Sequence, residues 1–431
     1  MRATLHSRSL AALVGTAALL SGGCRPSQSH TSRIEARETV GETTIVHVGD
    51  PVWPDTAQLV VESILGSLEG RDDLFVHVIA LTVAADSHVV TYDNGLRLLR
   101  EHDARGSLVG TFGRYGQGPG EFRGITGLAA LSAGRLLARD PGNLRINVYG
   151  PADSLEHWKA PVSRSAYGQF AIQTDRGGSV YLGVNPRLAT DGTLQEYPRP
   201  TFLRIDISGN PLDTLFIPER YLHQCPIRAE AKYASGFFQD IRERYIPKIK
   251  TALSRDGEII VGCPAEYVFD VWRRDGTVLR VRRDEWEPVA VSREEADNFV
   301  DSWTSQIREL QRRTSFAWTT PIPAHKPAYQ KLHVGRDGRI WVWIPHASVK
   351  GEYTRAGQHR VRWNEGPGSF DVFEPDGTYL GSVRLPSSVP YEPNPRTVEP
   401  FFWGDHVWAV AKDTNDVEYV TRFRIVVPRA P

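Results

Sequence analysis

The sequence predicts an all-β fold, a six-bladed β-propeller of four-stranded antiparallel blades closed by an N-terminal strand, with one inserted helix. Three observations carry this. A small-residue or Asp-Gly turn followed by a short β-branched and aromatic run occurs six times, at 85–90, 132–137, 175–181, 255–261, 336–342 and 403–408. Most copies are followed by a second hairpin, as around Asp275-Gly276 and Asp376-Gly377, so each unit reads as four strands. The units recur at roughly 45 to 80 residues, the spacing of blades with insertions and not of a sandwich.

The chain opens on a basic stretch with Arg2 and Arg8, followed by an apolar run over 10–20 that is short for a membrane span. Residues 1–23 read as an export signal. Residues 24–42 read as a flexible tether, and 43–431 as the domain. Ser21-Gly22-Gly23-Cys24 resembles the lipobox of bacterial lipoproteins, with Ser21 where that motif prefers Leu. The resemblance implies that Cys24 becomes an acylated first residue on a cell-envelope lipoprotein, periplasmic or at the cell surface. Ordinary signal-peptidase cleavage is the alternative, since Ser21 and Gly23 are small residues at suitable spacing.

Composition narrows the partners. The 51 basic and 51 acidic residues cancel, so no overall field draws the protein to nucleic acid. Cys225 and Cys263 are the cysteines left in the mature domain, and export places them in an oxidising compartment. They either form a disulfide or remain two buried thiols. Neither belongs to a close Cys or His pair of the zinc-ligand kind. No metal or cofactor is expected, and the chain reads as a monomer.

Thr43 to Val48 is β-branched, precedes the first blade and is expected to pair beside Tyr419 to Val427, because an open ring would leave exposed strand edges. In the second blade, Ala138-Arg139-Asp140-Pro141-Gly142-Asn143-Leu144-Arg145-Ile146-Asn147-Val148-Tyr149 resembles the NHL-repeat propellers. Asp93-Asn94-Gly95-Leu96-Arg97 repeats that pattern weakly, and the later blades depart from it. The Gly-rich stretch 112–122 between them is similar to the connector of bacterial six-bladed propeller lipoproteins. It lacks the Lys-Ser and strand-to-helix context of a phosphate loop, so its glycines read as permitting a tight crossing.

In a four-stranded blade the two internal hairpins turn at one face, and the remaining connections lie at the other. The hairpin turns here are uniformly tight, whereas the long connections, 113–121, about 219–245, about 284–327 and 351–368, all belong to the second face. Long loops on a rigid scaffold collect binding residues, so this face is the candidate functional face. Its third insertion holds the one clear helix of the mature chain, beginning at Ser292 with Glu295 three residues on. This helix packs on the rim or acts as a lid or docking element.

The expected function is a non-enzymatic binding module for a protein, peptide or glycan, using Arg114, Tyr115, Asp140, Arg145, Trp303 and His346 on the loop-rich face. Arg145 would offer a forked donor to an anionic group, while Tyr115 and Trp303 would offer flat apolar faces. The alternative is a metal-dependent hydrolase or lyase at the axial mouth, which requires Asp93, Asp140, Glu266, His346 and Asp413 to converge. No serine-hydrolase elbow is present.

Overall fold

The computed structural model describes residues 34–66, 74–132, 134–151, 154–159, 172–184, 201–222, 225, 230–233, 238–240, 245–310, 316–318, 322–355, 358–365, 368–389 and 398–428. Short β-branched and aromatic runs there form strands, and the fold is all-β and propeller-like. The first sheet joins Val78–Val83, Val89–Asp93, Leu98–His102 and Leu108–Phe112, and the second Gly127–Ala130, Leu136–Asp140, Arg145–Tyr149 and Leu155–Trp158. The third contains Gln173–Thr174, Val180–Val184, Thr201–Ile205 and Pro211–Phe216; the fourth contains Lys250–Leu253, Ile259–Gly262, Val268–Trp272 and Val278–Arg282. Lys331–Val334, Ile340–Ile344, Ser369–Phe373 and Tyr379–Arg384 make the fifth. The last combines Phe401–Trp403, His406–Lys412 and Glu418–Val426 with Ala57–Leu65.

These sheets pack face to face. Ala129, Leu137 and Val148 of the second meet Val180, Leu182 and Ile205 of the third, and Trp341 and Phe370 of the fifth meet Val407 and Phe423 of the last. The circuit closes where Trp408 and Val420 of the last sheet pack on Val83 and Val89 of the first. Such packing covers both faces of the inner strands, so Val89–Asp93 and Leu136–Asp140 are buried along their whole length. The outermost strands alternate or lie open, as Leu108–Phe112 and Pro211–Phe216 do. First strands of all these sheets contribute to the wall of one central cavity.

The N-terminal segments correct two expectations. Thr43–Val48 does not close the last sheet. It runs parallel to Val278–Arg282 on the outer edge of the fourth. Closure falls to Ala57–Leu65, which pairs antiparallel with Glu418–Val426 from Gln58↔Val426 to Leu65↔Val420. Both segments have strand composition; what separates them is the surface each can bury. Val46 and Val48 fit the core between the fourth and fifth sheets, whereas Leu65 fits between the last and the first. Part of the stretch read as a tether is also ordered, since Ile34–Val40 pairs with Thr43–Val48. Cys24 lies outside the described residues.

Cys225 and Cys263 form a disulfide with Cα atoms 5.5 Å apart, closing a sequence separation of 38 residues. A loop of that length makes the bridge worth about 2–4 kcal/mol. The Cys225→Ser/Cys263→Ser double variant is therefore expected to unfold at a lower urea concentration than the parent. An unchanged midpoint contradicts this.

Candidate functional site

The sequence-derived candidates separate into two groups. The first surrounds the Gly-rich connector between the first two sheets. Asp140 is fully buried and accepts hydrogen bonds from the amides of Arg123, Gly124 and Asn143 and from Asn143 Nδ2 at 2.7 Å. Burial pushes its carboxyl above the usual range, against the pull of those donors. One sheet earlier Asp93 accepts in the same pattern, from the amides of Val76 (2.7 Å), His77 and Leu96. This latch is shared by the two turns: a strand-end aspartate ties its own turn to the connector leading into its sheet.

Arg145 is not free to act as a fork for a ligand. Its terminal nitrogens donate to the carbonyls of Gln117 (3.3 Å), Gly118 (2.7 Å) and Glu121 (2.6 Å). Facing Asp140 across its strand pair, it reaches past that carboxylate to the connector. The connector wraps Glu121, which accepts from the Gly118 amide and from Arg114; those two donors lower its carboxyl. Gly116 permits the wrap, because a Cβ there would sit 2.1 Å from Glu121 Oε2. Arg114 and Tyr115 project, with 82% of the Arg114 side chain and 50% of Tyr115 exposed, and the Arg97 guanidinium lies 4.1 Å from the Tyr115 ring centre.

The second group lies where the inserted helix, Arg293–Leu310, meets a long hairpin, Ser348–Arg355 with Gln358–Glu365. Ser292 Oγ accepts the Glu295 amide at 3.1 Å, as the capping pattern requires. The Glu295 carboxylate does not reach back to Ser292; buried, it accepts from Tyr245 OH (2.9 Å) and Ser348 Oγ (2.6 Å). Lys326, with no side-chain exposure, donates to His346 O (2.5 Å), Ser348 Oγ (2.8 Å) and Glu365 Oε1 (3.0 Å). This network fixes helix to hairpin, favouring the rim-packing reading of the helix over a mobile lid. His346 Nε2 lies 2.9 Å from Ser369 Oγ, and burial lowers its pKa. Trp303 falls on the helix; its side chain lies outside the described residues.

The five residues of the metal alternative do not form a ligand set. Asp93 and Asp140 hold connectors, Asp413 accepts the Asn415 and Val417 amides of its own turn, and Glu266 is exposed. Among the described residues no three His, Cys, Asp or Glu side chains gather as ligands.

What the structure gathers instead is a set absent from the sequence-derived candidates. The central cavity, about 190 Å³, is lined by Lys250, Lys331, His333 and Glu399 among others. Lys250 and Lys331 begin the first strands of the fourth and fifth sheets, at the end remote from the tight turns and therefore on the loop-rich side. Lys331 Nζ pairs with Glu399, and His333 Nδ1 lies 3.3 Å from the other carboxylate oxygen. Burial alone would raise Glu399, but Lys331 and His333 hold it down at about 2. His333 is lowered by burial, so it is neutral near pH 7. Lys250 has no such partner among the described residues; burial first, then the Lys248 and Lys331 charges, lower it to about 8.

One sequence signal points to this set. When the repeats are superposed on their turns, Lys250 stands four residues before Ser254 and Lys331 four before Gly335. A lysine at the same place in two repeats, on an inner strand, is a poor fit to a purely structural core.

No protein-family model matches the chain, and no curated protein matches it in sequence. Solved structures do. A member of the DUF4221 family from Bacteroides vulgatus is 10% identical, with 86% of this chain and 99% of that one covered and a TM-score of 0.51. A candidate exported protein from Bacteroides fragilis is 11% identical over 90% of this chain and all of that one, at a TM-score of 0.46. Virginiamycin B lyase from Staphylococcus aureus is 9% identical over 84% and 99%, at 0.40. The first of these likenesses supports the fold and nothing further. No helix among the described residues is long and apolar enough to cross a membrane.

Proposed function

We propose that the protein is an exported, lipid-anchored, six-bladed propeller that acts as a non-enzymatic binding module, receiving a protein, peptide or glycan ligand on its loop-rich face. The observation that carries this reading is the placement of Lys250. A lysine with no partner among the described residues lines the central cavity, at the end of its strand remote from the tight turns. Around that mouth the connectors are held in place, one by Asp140 and Arg145 and another by Lys326 and Glu295. Rigid loops around an unsatisfied charge suit recognition, because little ordering entropy is lost on binding. Arg114 and Tyr115 are the exposed contacts of this face, and Asp140, Arg145 and His346 act behind it as positioning residues. The metal-dependent alternative is disfavoured, since three of its carboxylates, Asp93, Asp140 and Asp413, are spent on backbone amides.

The test is a glycan and peptide array probed with the mature protein. Arg114→Ala and Tyr115→Ala are expected to weaken the recovered ligand about tenfold each, roughly the share of a peripheral contact in an interface. Asp256→Ala, Asp275→Ala and Asp376→Ala, in the tight turns, are expected to leave it unchanged. Loss confined to the second set overturns the face assignment. The anchor is tested separately: Cys24→Ser is expected to move the protein from the membrane fraction to the soluble one, and equal membrane retention refutes lipidation.

A further inference from the structure

The central cavity holds more unsatisfied polar groups than Lys250 alone. Gln173 Oε1 and Thr251 Oγ1 are buried without a hydrogen-bond partner among the described residues, and both residues line the same cavity. Gln173 comes from the third sheet, Thr251 and Lys250 from the fourth. Buried polar groups are normally paired, and leaving them bare costs free energy, so orphans from different sheets facing one space point to something that occupies it.

Charge, size and donor type define the occupant. Arg255 and Arg336, cations of the lining, stand beyond the tight-turn ends of the strands and donate to the Thr174 and Val83 carbonyls. At the opposite, loop-rich end Lys331 and Glu399 neutralise each other and His333 is neutral, so Lys250 leaves one net positive charge there. That suits a monoanion. A phosphate dianion would need more donors than the one ammonium group at this end supplies. A cavity of about 150 Å³ holds a molecule the size of benzene, so about 190 Å³ admits a compact acid or the acid end of a longer ligand. A hydroxyl beside the carboxylate would satisfy Gln173 and Thr251, donating to Gln173 Oε1 and exchanging a hydrogen bond with Thr251 Oγ1.

We propose that the central cavity is a binding site for a small hydroxy-carboxylate, its carboxylate held by the Lys250 ammonium and its hydroxyl by Gln173 and Thr251. The site rests on the reading of the loop-rich face as the ligand face, and it specifies the acidic group that enters the mouth there. Binding needs the protonated amine. Since Lys250 loses its proton near pH 8, affinity holds below that pH and falls as pH rises above it.

The experiment is calorimetric titration of the full mature protein with sodium L-lactate, with glycerol and ammonium chloride as controls that lack a carboxylate. Lactate is expected to bind in the millimolar range, as a ligand of so few atoms allows, and the controls not to bind. Lys250→Met, which keeps the volume and removes the charge, is expected to weaken lactate at least tenfold. Gln173→Leu should weaken lactate but leave acetate unchanged, a split that a general loss of structure would not give. Undiminished affinity in Lys250→Met, or no lactate binding to the parent, overturns the site. If array ligands still depend on Arg114 and Tyr115 while lactate fails, only the cavity site falls. If lactate binds through Lys250 while those exposed residues prove irrelevant to any ligand, the face reading falls and the cavity site stands.

Discussion

A chain beginning at residue 67 is expected to lose cooperative folding, whereas one beginning at residue 50 is expected to fold with reduced stability. The longer truncation removes Ala57–Leu65, and with it the partner of Glu418–Val426 over nearly its whole length. Unpaired strand edges in the last sheet would then face solvent, and the packing of Leu65 against Phe75 and Val78 would be lost. The shorter truncation removes the ribbon Ile34–Val40 with Thr43–Val48, an addition to the outer edge of the fourth sheet. Two buried valines, Val46 and Val48, go with it, a loss of roughly 3–5 kcal/mol from burial alone. Scanning calorimetry should show one sharp transition at lower temperature for the shorter truncation and none for the longer. A sharp native-like transition in the chain beginning at residue 67 would refute the closure assigned to Ala57–Leu65.

The second large effect is expected at Lys326. Its side chain is fully enclosed and carries the only ammonium, among the described residues, on a network that includes the buried Glu295 and the nearly buried Glu365. Lys326→Met leaves those carboxylates without their counter-charge in a low-dielectric interior, which costs roughly 3–5 kcal/mol. Adding Glu365→Leu to Lys326→Met should recover part of the loss, because the carboxylate nearest the vacated ammonium is then gone too. Urea unfolding of both variants measures this. A single variant as stable as the parent, or a double variant less stable than the single, would show that the helix and hairpin do not depend on this charge. Because the network joins the helix to the hairpin, the lost stability should be accompanied by protease sensitivity between residues 293 and 365.

What could be read from the chain was local. Asp-Gly and small-residue turns set hairpins through a few backbone dihedrals, as at Gly257 with φ of 75°, and alternating β-branched residues set strand faces. Ser292 marked the helix start because a hydroxyl there reaches an amide three residues on. The assignment of every long connection to one face followed from strand order alone. None of these needs a distant residue.

The remaining features depended on partners far apart in sequence. Thr43–Val48 and Ala57–Leu65 are interchangeable in strand propensity, and only the cores they meet, one beside Val281 and the other beside Val420, decide which closes the ring. Arg145 lies opposite Asp140 in its own hairpin, yet its guanidinium goes to carbonyls 24 to 28 residues earlier. Glu295 has the spacing of a capping residue and serves Tyr245 and Ser348 instead, because burial makes a charge-assisted bond there stronger than one at the helix end in solvent. Lys250, Gln173 and Glu399 become neighbours of one cavity only when separate sheets are set radially around it. The sequence thus determined the turns, the hairpins and the helix start, through forces acting within one turn or one hairpin. Closure, charge pairing and the cavity were decided by the tertiary structure, because desolvation and Coulomb energy depend on what surrounds a side chain in space and not on its neighbours along the chain.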